Sequence, residues 1–324
     1  MNMTMTTTLS NSNIISIDIP FTSKYNNILT HDVLGFVQRN QYTNIVFNPK
    51  QLTNLFGSDR VHIDSTCITM DGVEYSYTDF DKMLHTRSYQ YLCEQTVFRL
   101  HTSDDFHTGN LLVLGFVGSI CRGKELVDKI VSYRNTYAPG CAVAICIAKS
   151  ILPDIQDDIQ RDLGANYALF ASNELGSDIL PSIITYDMIG REYQFTYVLK
   201  LHTKSDMDIF NKCTHFLLGQ SFEQLLSKQR KQCACIGYMY ISIANDKYNK
   251  ILLKKNMRFV KNGRTYFVPY TMFLAHSNVF TKAVEFVRLH HLPFFLQNMY
   301  DSNRYANRHS SYPHFMERLF GLIS

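Results

Sequence analysis

The sequence predicts an α/β protein with a mainly parallel sheet and helices on both of its faces, preceded by a smaller α+β region. Three observations support this class. Beyond residue 110, short apolar runs alternate with stretches of helical periodicity, which is the pattern of repeated β-α units. Before residue 102, short segments alternate between apolar and polar residues, which is typical of β-strands, and a segment of helical pattern follows them. Finally, 45% of the 324 residues are hydrophobic, enough to build a large core.

The first region is predicted over residues 14–105, after a polar tail at residues 1–13 that we expect to be disordered. The tail carries no charge and no long apolar run, so it is not typical of a signal peptide. The pair Asp71-Gly72 predicts a hairpin turn. The predicted elements are strands at 14–19, 44–48, 61–69 and 73–77, a helix at 79–98 and a linker at 101–110. The sequence offers no catalytic signature in this region.

The second region is predicted over residues 106–324 and holds the repeated β-α units. The predicted order is strand 111–117, helix 124–137, strand 142–148, helix 152–163, strand 167–172, helix 179–190 and strand 197–201. A helix at 209–229, strands at 234–242 and 265–275, and helices at 279–290 and 315–322 are predicted to follow. The first four strands are short and almost wholly apolar, which is typical of strands buried on both faces.

Composition argues against several classes of function. The net charge of +4, with 19% charged residues, suits an anionic small ligand and is too small to indicate nucleic-acid binding. No run of about 18 apolar residues is present, so we expect no membrane span. The eight cysteines show no Cys-x-x-Cys spacing, which favours buried free thiols in a reducing compartment, and we expect a cytoplasmic protein. Abundant Asn, Tyr, Ile and Lys fit an AT-rich genome, for example a viral one.

Polar side chains follow two of the predicted strands. His202, Lys204, Asp206 and Asp208 come directly after the apolar run at 197–201. Upstream, a polar turn follows the strand at 167–172 and contains three candidate ligand-binding residues, Asn173, Gly176 and Asp178. Because ligands of open α/β sheets bind beyond the carboxyl ends of strands, the two polar stretches are predicted to form two walls of one pocket.

Each of these residues also has a purely structural interpretation. His202 is equally compatible with a hydrogen-bonded core histidine, and Lys204 with a solvated lysine at a strand end. Asp206 and Asp208 precede a predicted helix, where carboxylates commonly cap the N-terminus. Asn173 and Gly176 are also typical of a simple turn, and Asp178 of a helix cap.

Four motifs, in the right order, resemble the rhamnan synthesis F family of glycosyltransferase-like proteins. They are Asn-Glu-Leu-Gly-Ser-Asp-Ile at 173–179, Val-Leu-Lys-Leu-His-Thr-Lys at 198–204, Tyr-Thr-Met-Phe-Leu-Ala at 270–275 and His-Phe-Met-Glu-Arg-Leu-Phe-Gly at 314–321. The resemblance covers roughly residues 110–324 and implies a Rossmann-type domain of the GT-A kind. It implies transfer of a sugar from a nucleotide-sugar donor to a glycan or other hydroxyl acceptor. The chain lacks the Trp-Arg pair that tends to follow His-Thr-Lys in that family, which keeps a non-catalytic carbohydrate- or protein-binding module as the alternative.

The resemblance leaves two ways of balancing the charge of a departing diphosphate. In one, His202 and Lys204 supply positive charge and no metal is needed. In the other, Asp206 and Asp208 bind Mg²⁺ or Mn²⁺, and the metal bridges the phosphate oxygens. We favour the first, because the His-Thr-Lys motif matches the family and the two aspartates lie past the strand end.

The C-terminal motifs supply the remaining candidates. Glu317 is the candidate general base that deprotonates the acceptor hydroxyl, with a salt bridge to Arg318 as its structural alternative. Arg318 and His314 are candidates for donor binding on the same wall. Met272 and His276 bracket a predicted strand end and are candidates for contact with the sugar, although a methionine in such a run is more typical of the core.

Overall fold

The computed structural model describes two compact units, one of residues 1–92 with 288–311 and the other of residues 93–287 with 312–324. Backbone and side chains are described for residues 97–173, 178–243, 261, 263–288 and 316–323, and for 89, 90, 93, 94 and 96. Backbone alone is described for short strands before residue 76, for 289–300 and for 312–315. Gly176, one of the candidate ligand-binding residues, lies outside the described residues.

The first unit contains two small antiparallel sheets. The strands are β1 (Thr4–Met5), β2 (Ile15–Pro20), β3 (Tyr42–Phe47), β4 (Val61–Ile63), β5 (Ile68–Met70) and β6 (Val73–Tyr75). They are ordered β1-β2-β3 and β4-β5-β6. Met70 pairs with Val73, so the strands on either side of Asp71-Gly72 form the predicted antiparallel pair. Within the stretch expected to be a disordered tail, β1 pairs with β2.

The second unit is built on a seven-stranded mixed sheet. Its strands are β7 (Val97–Thr102), β8 (Gly109–Val117), β9 (Ala142–Ala148), β10 (Tyr167–Ser172), β11 (Phe195–His202), β12 (Cys235–Ile236) and β15 (Phe273–His276). The order is β12-β15-β11-β8-β9-β10-β7. Strands β8 to β11 are mutually parallel, while β7 and β15 run antiparallel to their neighbours. The predicted mainly parallel sheet is therefore confirmed.

Helices cover both faces of this sheet, as predicted. They are α1 (Ile120–Tyr137), α2 (Leu152–Leu163), α3 (Ile179–Gly190), α4 (Met207–Leu218), α5 (Phe222–Leu226), α6 (Ser277–Tyr300) and α7 (Tyr312–Leu322). Helices α1, α2 and α4 pack on one face around a continuous apolar core, and α3 packs on the other face against β8, β9 and α7. All seven residues of β9 are buried, because both faces of the strand are covered. Within the part of the chain that the structure describes, no helix is long and apolar enough to cross a membrane.

Several predicted boundaries are wrong, each for a local reason. The helix predicted over 79–98 has given way to β7 by Val97, and the predicted linker at 101–110 holds the end of β7 and the start of β8. The helix predicted over 209–229 breaks at Gly219, and Ser221 starts α5 with a reciprocal capping box. The strand predicted over 265–275 is interrupted by a 3-10 turn, Pro269–Thr271, which separates β14 (Tyr266–Phe267) from β15. Strand β14 pairs with β13 (Ile241–Ser242) outside the main sheet.

The order of the parallel strands creates a crevice between β8 and β11. From β8 the chain proceeds to β9 and then β10 on one side, and it returns through α3 to place β11 on the other side of β8. Phe116 and His202 are register partners at the carboxyl ends of these two strands. The connections after β8 and β11 therefore diverge from adjacent strand ends, which is the topological switch point where open α/β sheets bind ligands.

Gly123 allows α1 to lie close to the end of β8, and we expect its replacement by alanine to destabilise the protein. A Cβ at position 123 comes within 2.4 Å of Val117 Cγ1 and 2.8 Å of Ile155 Cδ1. Overpacking of this kind costs about 1–3 kcal/mol. A Cβ at Gly190, the last residue of α3, meets no atom within 4 Å, so Gly190→Ala is the matched control. Urea unfolding is the measurement, and equal stability of the two variants would contradict the packing argument.

Candidate functional site

A cavity of about 660 Å³ lies at the switch point. It is lined from the β8–α1 connection by Phe116, Gly118, Ser119, Cys121 and Arg122, from the end of β11 by His202, Thr203, Lys204 and Ser205, and from the start of α3 by Asp178. The structure therefore brings together three residues predicted from the sequence, Asp178, His202 and Lys204. Its size is that of a site for a small organic ligand.

The β8–α1 connection, which the sequence interpretation missed, gives the cavity an electropositive wall. Ser119 is the N-cap of α1, but its side chain makes no capping hydrogen bond, and the first turn contains no acidic residue. The backbone N–H groups at a helix N-terminus favour anions. Arg122 lies in this first turn and donates to Glu125 at 2.8 Å. The signal in the sequence was Gly118 and Gly123 on either side of a helix start that follows a buried strand.

The two strand ends that frame the cavity are tied together directly. The Gly118 N–H donates to Thr203 Oγ1 at 2.9 Å, and the Thr203 N–H donates to the Phe116 carbonyl at 3.0 Å. Lys204 follows, and its ammonium group lies 5.3 Å from the centre of the Tyr270 ring. Among the described residues, Lys204 forms no ion pair. Its positive charge is therefore available to a ligand.

A buried ion pair lies below the cavity, and sequence reasoning missed one partner. Lys200 is fully buried in β11, and its Nζ donates to Asp178 Oδ2 at 2.5 Å and to the Thr271 carbonyl at 3.0 Å. Thr271 Oγ1 donates to the same Asp178 oxygen at 2.8 Å. The signal was available, because a lysine inside the apolar run Val198 to Leu201 needs a partner in the core.

The charges of this pair follow from burial and proximity. Burial alone raises the pKa of the Asp178 carboxyl. The charge that His202 carries once it is protonated at low pH, the charge of Lys200 and the hydrogen bonds from Lys200 and Thr271 outweigh burial and hold the pKa well below its usual value. Burial lowers the pKa of Lys200, and the attraction of Asp178 opposes that shift. We therefore treat Lys200 and Asp178 as an ion pair at neutral pH. The helix-cap interpretation of Asp178 is incomplete, because its position is that of an N-cap but its side chain makes no capping bond.

His202 is neutral, which corrects the expectation that it supplies positive charge. It is 5% exposed, and burial lowers its pKa to about 4 despite the opposing attraction of Asp178. Its Nε2 lies 2.6 Å from the Tyr270 carbonyl oxygen and 3.1 Å from Thr271 Oγ1. A carbonyl oxygen only accepts, so Nε2 carries the proton in this neutral ring. Of the two residues expected to supply positive charge, His202 therefore does not do so at pH 7.

The turn that contacts His202 has a strained backbone. Tyr270 and Thr271 have φ values of 71° and 55°, in the left-handed region that favours glycine. Tyr270, which follows Pro269, has φ 71° and ψ 3°, the values of the third residue of a type II turn, where glycine is usual. Such conformations cost of order 1–3 kcal/mol each and persist only where the surroundings hold them. Here the strain points the Tyr270 carbonyl at His202 and brings Thr271 to Asp178.

Glu317 holds this turn and does not line the cavity. Its Oε1 accepts from the Tyr270 N–H at 2.6 Å, and its Oε2 accepts from Arg318. Burial raises the pKa of Glu317, while Arg318 and the Tyr270 N–H oppose that shift. Arg318 in turn lies 4.7 Å from the centre of the Phe267 ring. The structural alternative for Glu317, a salt bridge to Arg318, is the interaction observed.

The other predicted donor-binding residues lie elsewhere or outside the described side chains. Met272 is fully buried in the apolar core to which α1, α2 and α4 contribute. His276 pairs with Tyr197 at the amino end of β11, because β15 runs antiparallel to that strand, so it lies at the edge away from His202. The Asn173 N–H donates to the Thr96 carbonyl, and the residue does not line the cavity. His314 belongs to α7, but its side chain is outside the described residues.

Asp206 and Asp208, the expected metal ligands, both interact within α4. Asp206 caps α4 by accepting from the Ile209 N–H at 3.1 Å, and Asp208 pairs with Lys212 one turn along the helix. Asp206 therefore caps the helix, as the structural interpretation expects, whereas Asp208 lies in the first turn and pairs with Lys212. Among the residues that the structure describes, no cluster of three or more His, Cys, Asp or Glu side chains is placed to hold a metal ion.

Replacing one partner of the buried ion pair is expected to destabilise the protein more than replacing both partners. Lys200→Met leaves Asp178 without its main partner, and Asp178→Asn leaves the Lys200 charge without its counter-charge, so each single change costs about 3–5 kcal/mol. The double variant buries no uncompensated charge and should lose less than the sum of the two. A double-mutant cycle by urea unfolding measures the difference, and simple additivity would contradict the pairing.

His202 is expected to make the protein less stable as the pH falls from about 6.5 to about 4. In that window the unfolded chain binds a proton at this histidine and the folded protein does not, so stability rises with pH. His202→Gln should flatten the dependence in this window. Glu317, whose raised pKa acts in the opposite sense, is present in both proteins and cancels in the comparison. Urea unfolding at pH 4.5, 5.5 and 6.5 tests this, with exposed His215→Gln as control; parallel curves for wild type and His202→Gln would contradict it.

Comparison with known proteins adds no relative to this description. No protein-family model, curated protein or solved structure matches the chain. The geometry and charge of the cavity are therefore the basis for a functional proposal.

Proposed function

We propose that the protein is a glycosyltransferase of the GT-A type, which moves a sugar from a nucleotide-sugar donor to a hydroxyl acceptor such as a glycan or a protein. The observation that carries the proposal is the cavity at the switch point between β8 and β11, where the N-terminus of α1, Arg122 and Lys204 meet. This is the place and the charge expected for a diphosphate. The resemblance of residues 173–179 and 198–204 to the rhamnan synthesis F family supports the same assignment.

The charges around the cavity favour an anionic ligand. Arg122 and Lys204 contribute two positive charges, and the negative charge of Asp178 is balanced by Lys200 below it. Arg122 is partly balanced by Glu125, whereas Lys204 forms no ion pair among the described residues. Lys204 is therefore the residue on which anion binding should depend most.

In the proposed reaction, the acceptor oxygen bonds to the anomeric carbon of the sugar as the bond from that carbon to the diphosphate breaks. Negative charge develops on the departing diphosphate, and the hydroxyl proton passes to the diphosphate or to water. Lys204, Arg122 and the first N–H groups of α1 stabilise that charge, as fixed donors do in a site from which water is excluded. His202 is a neutral hydrogen-bonding group beside them. Glu317 acts as a positioning residue for the Tyr270 turn, because its carboxylate is held by the Tyr270 N–H and Arg318. No metal is assigned a step, since Asp206 and Asp208 are engaged in α4.

A non-catalytic binding module is the second candidate, and the position of Glu317 favours it. A transferase that inverts the sugar needs a general base in contact with the acceptor hydroxyl. Within the described residues, the carboxylates near the cavity are Asp178, which is ion-paired with Lys200, and Glu317, which holds the turn. Anion binding alone explains the cavity if the protein binds a nucleotide sugar or a phosphorylated glycan without turning it over.

Thermal unfolding in the presence of nucleotide sugars tests both candidates. A panel of UDP, GDP and dTDP sugars, with and without Mn²⁺, should contain at least one that raises the Tm, because a ligand that binds only the folded state stabilises it. Release of the free nucleoside diphosphate with a glycan acceptor then separates transfer from binding. Absence of any stabilisation across the panel would contradict the transferase and a module that binds nucleotide sugars.

Lys204→Ala is expected to distinguish an enzyme from a binding module. If the protein is a transferase, loss of this charge-stabilising donor should lower kcat by about 10²–10³-fold. If it is a binding module, the wild type releases no nucleotide and the variant only binds more weakly. Lys212→Ala is the control, because Lys212 pairs with Asp208 on α4 and does not line the cavity. A wild-type turnover unchanged by Lys204→Ala would contradict the assigned role.

A further inference from the structure

His202 lines the cavity, and one of its ring nitrogens bonds to the protein. Nε2 donates to the Tyr270 carbonyl at 2.6 Å. Nδ1 has no hydrogen-bond partner among the described residues, and it is not one of their fully buried polar atoms that lack a partner. Nδ1 is therefore accessible, and the cavity that the residue lines is the space from which a ligand can reach it.

The tautomer determines what Nδ1 can bind. Nε2 carries the only ring proton, so Nδ1 offers a lone pair and can only accept a hydrogen bond. Thr271 and the Tyr270 carbonyl fix this arrangement, because both lie within 3.1 Å of Nε2 and Thr271 is itself held by Asp178. A lone pair repels phosphate oxygens, which also only accept. The anionic part of a ligand is therefore directed away from His202, toward Lys204 and Arg122.

We propose that His202 Nδ1 accepts a hydrogen bond from a ligand hydroxyl, so that the cavity selects ligands that carry both a phosphate and a hydroxyl group. The inference rests on the proposed function for the identity of the ligand, a nucleotide sugar. Both the ribose and the transferred sugar carry hydroxyl groups, and both are sources of the bond. A site built to bind a hydroxyl discriminates against ligands that lack it, because such a ligand covers the acceptor and leaves it unpaired.

The test compares His202→Gln with wild type on three probes by isothermal titration calorimetry. The probes are UDP-glucose, UDP and inorganic pyrophosphate, or GDP-mannose, GDP and pyrophosphate where the thermal panel selects guanine. Glutamine keeps a donor for the Tyr270 carbonyl and removes the acceptor at the position of Nδ1. We expect about tenfold weaker binding of the hydroxylated probes, the loss of roughly one hydrogen bond, and unchanged binding of pyrophosphate.

The pattern across the probes identifies the source of the hydroxyl. Equal weakening of UDP and UDP-glucose indicates the ribose, and weakening of UDP-glucose alone indicates the sugar. His202→Asn, whose amide oxygen lies near the position of Nδ1, should restore part of the affinity. Lys204→Ala should weaken all three probes, because it removes the charge that binds the phosphates.

Nuclear magnetic resonance of wild-type protein labelled with ¹⁵N-histidine tests the same bond without a substitution. The His202 Nδ1 signal should be that of an unprotonated nitrogen and should move on addition of UDP-glucose but not of pyrophosphate. A protonated Nδ1, equal weakening of all probes by His202→Gln, no weakening at all, or no binding of any probe would overturn the inference. Binding that depends on His202 without any sugar transfer would overturn the proposed transferase activity and leave the inference standing.

Discussion

The buried ion pair between Lys200 and Asp178 is the constraint on which the site depends. A charged lysine in the centre of a sheet is very unfavourable unless a counter-charge and further hydrogen bonds surround it. Asp178 supplies the charge from the start of α3, and the Thr271 carbonyl supplies another acceptor. The need to satisfy one ammonium group therefore fixes the start of α3 and the turn before β15 against the end of β11.

The strain in the Tyr270–Thr271 turn follows from this constraint. Both residues adopt positive φ values that glycine would adopt without cost, so the surroundings must supply the compensating free energy. Glu317 accepts from the Tyr270 N–H, His202 donates to the Tyr270 carbonyl, and Lys204 lies over the Tyr270 ring. A glycine would relax the backbone and lose the ring that contacts Lys204. The strained turn thus places the Tyr270 ring against Lys204 and the Tyr270 carbonyl against His202.

The sequence predicted the repeated β-α units and the polar strand end, because apolar periodicity reports burial directly and His202 and Lys204 follow a buried strand. The sequence did not predict the direction of β15, since an apolar run does not show whether a strand is parallel or antiparallel to its neighbour. Because β15 runs antiparallel to β11, His276 lies near the amino end of β11, away from His202. Met272 is buried in the core. Nor did the sequence predict the turn at Tyr270, because the residues that adopt a positive φ there are not glycines. Lys200 was predictable in principle, because its position in an apolar strand requires a buried partner.

The depth of each side chain along β11 explains why Lys200, His202 and Lys204 have different electrostatic roles. Lys200 is fully buried and its charge is cancelled by Asp178. His202, two residues on, is nearly buried, and burial keeps it neutral. Lys204 lies past the strand end, is half-buried, lines the cavity and forms no ion pair among the described residues. The cavity is therefore lined by both a neutral imidazole and a lysine. A ligand that carries both a hydroxyl group and a diphosphate has a partner for each, whereas a simple anion uses only the lysine.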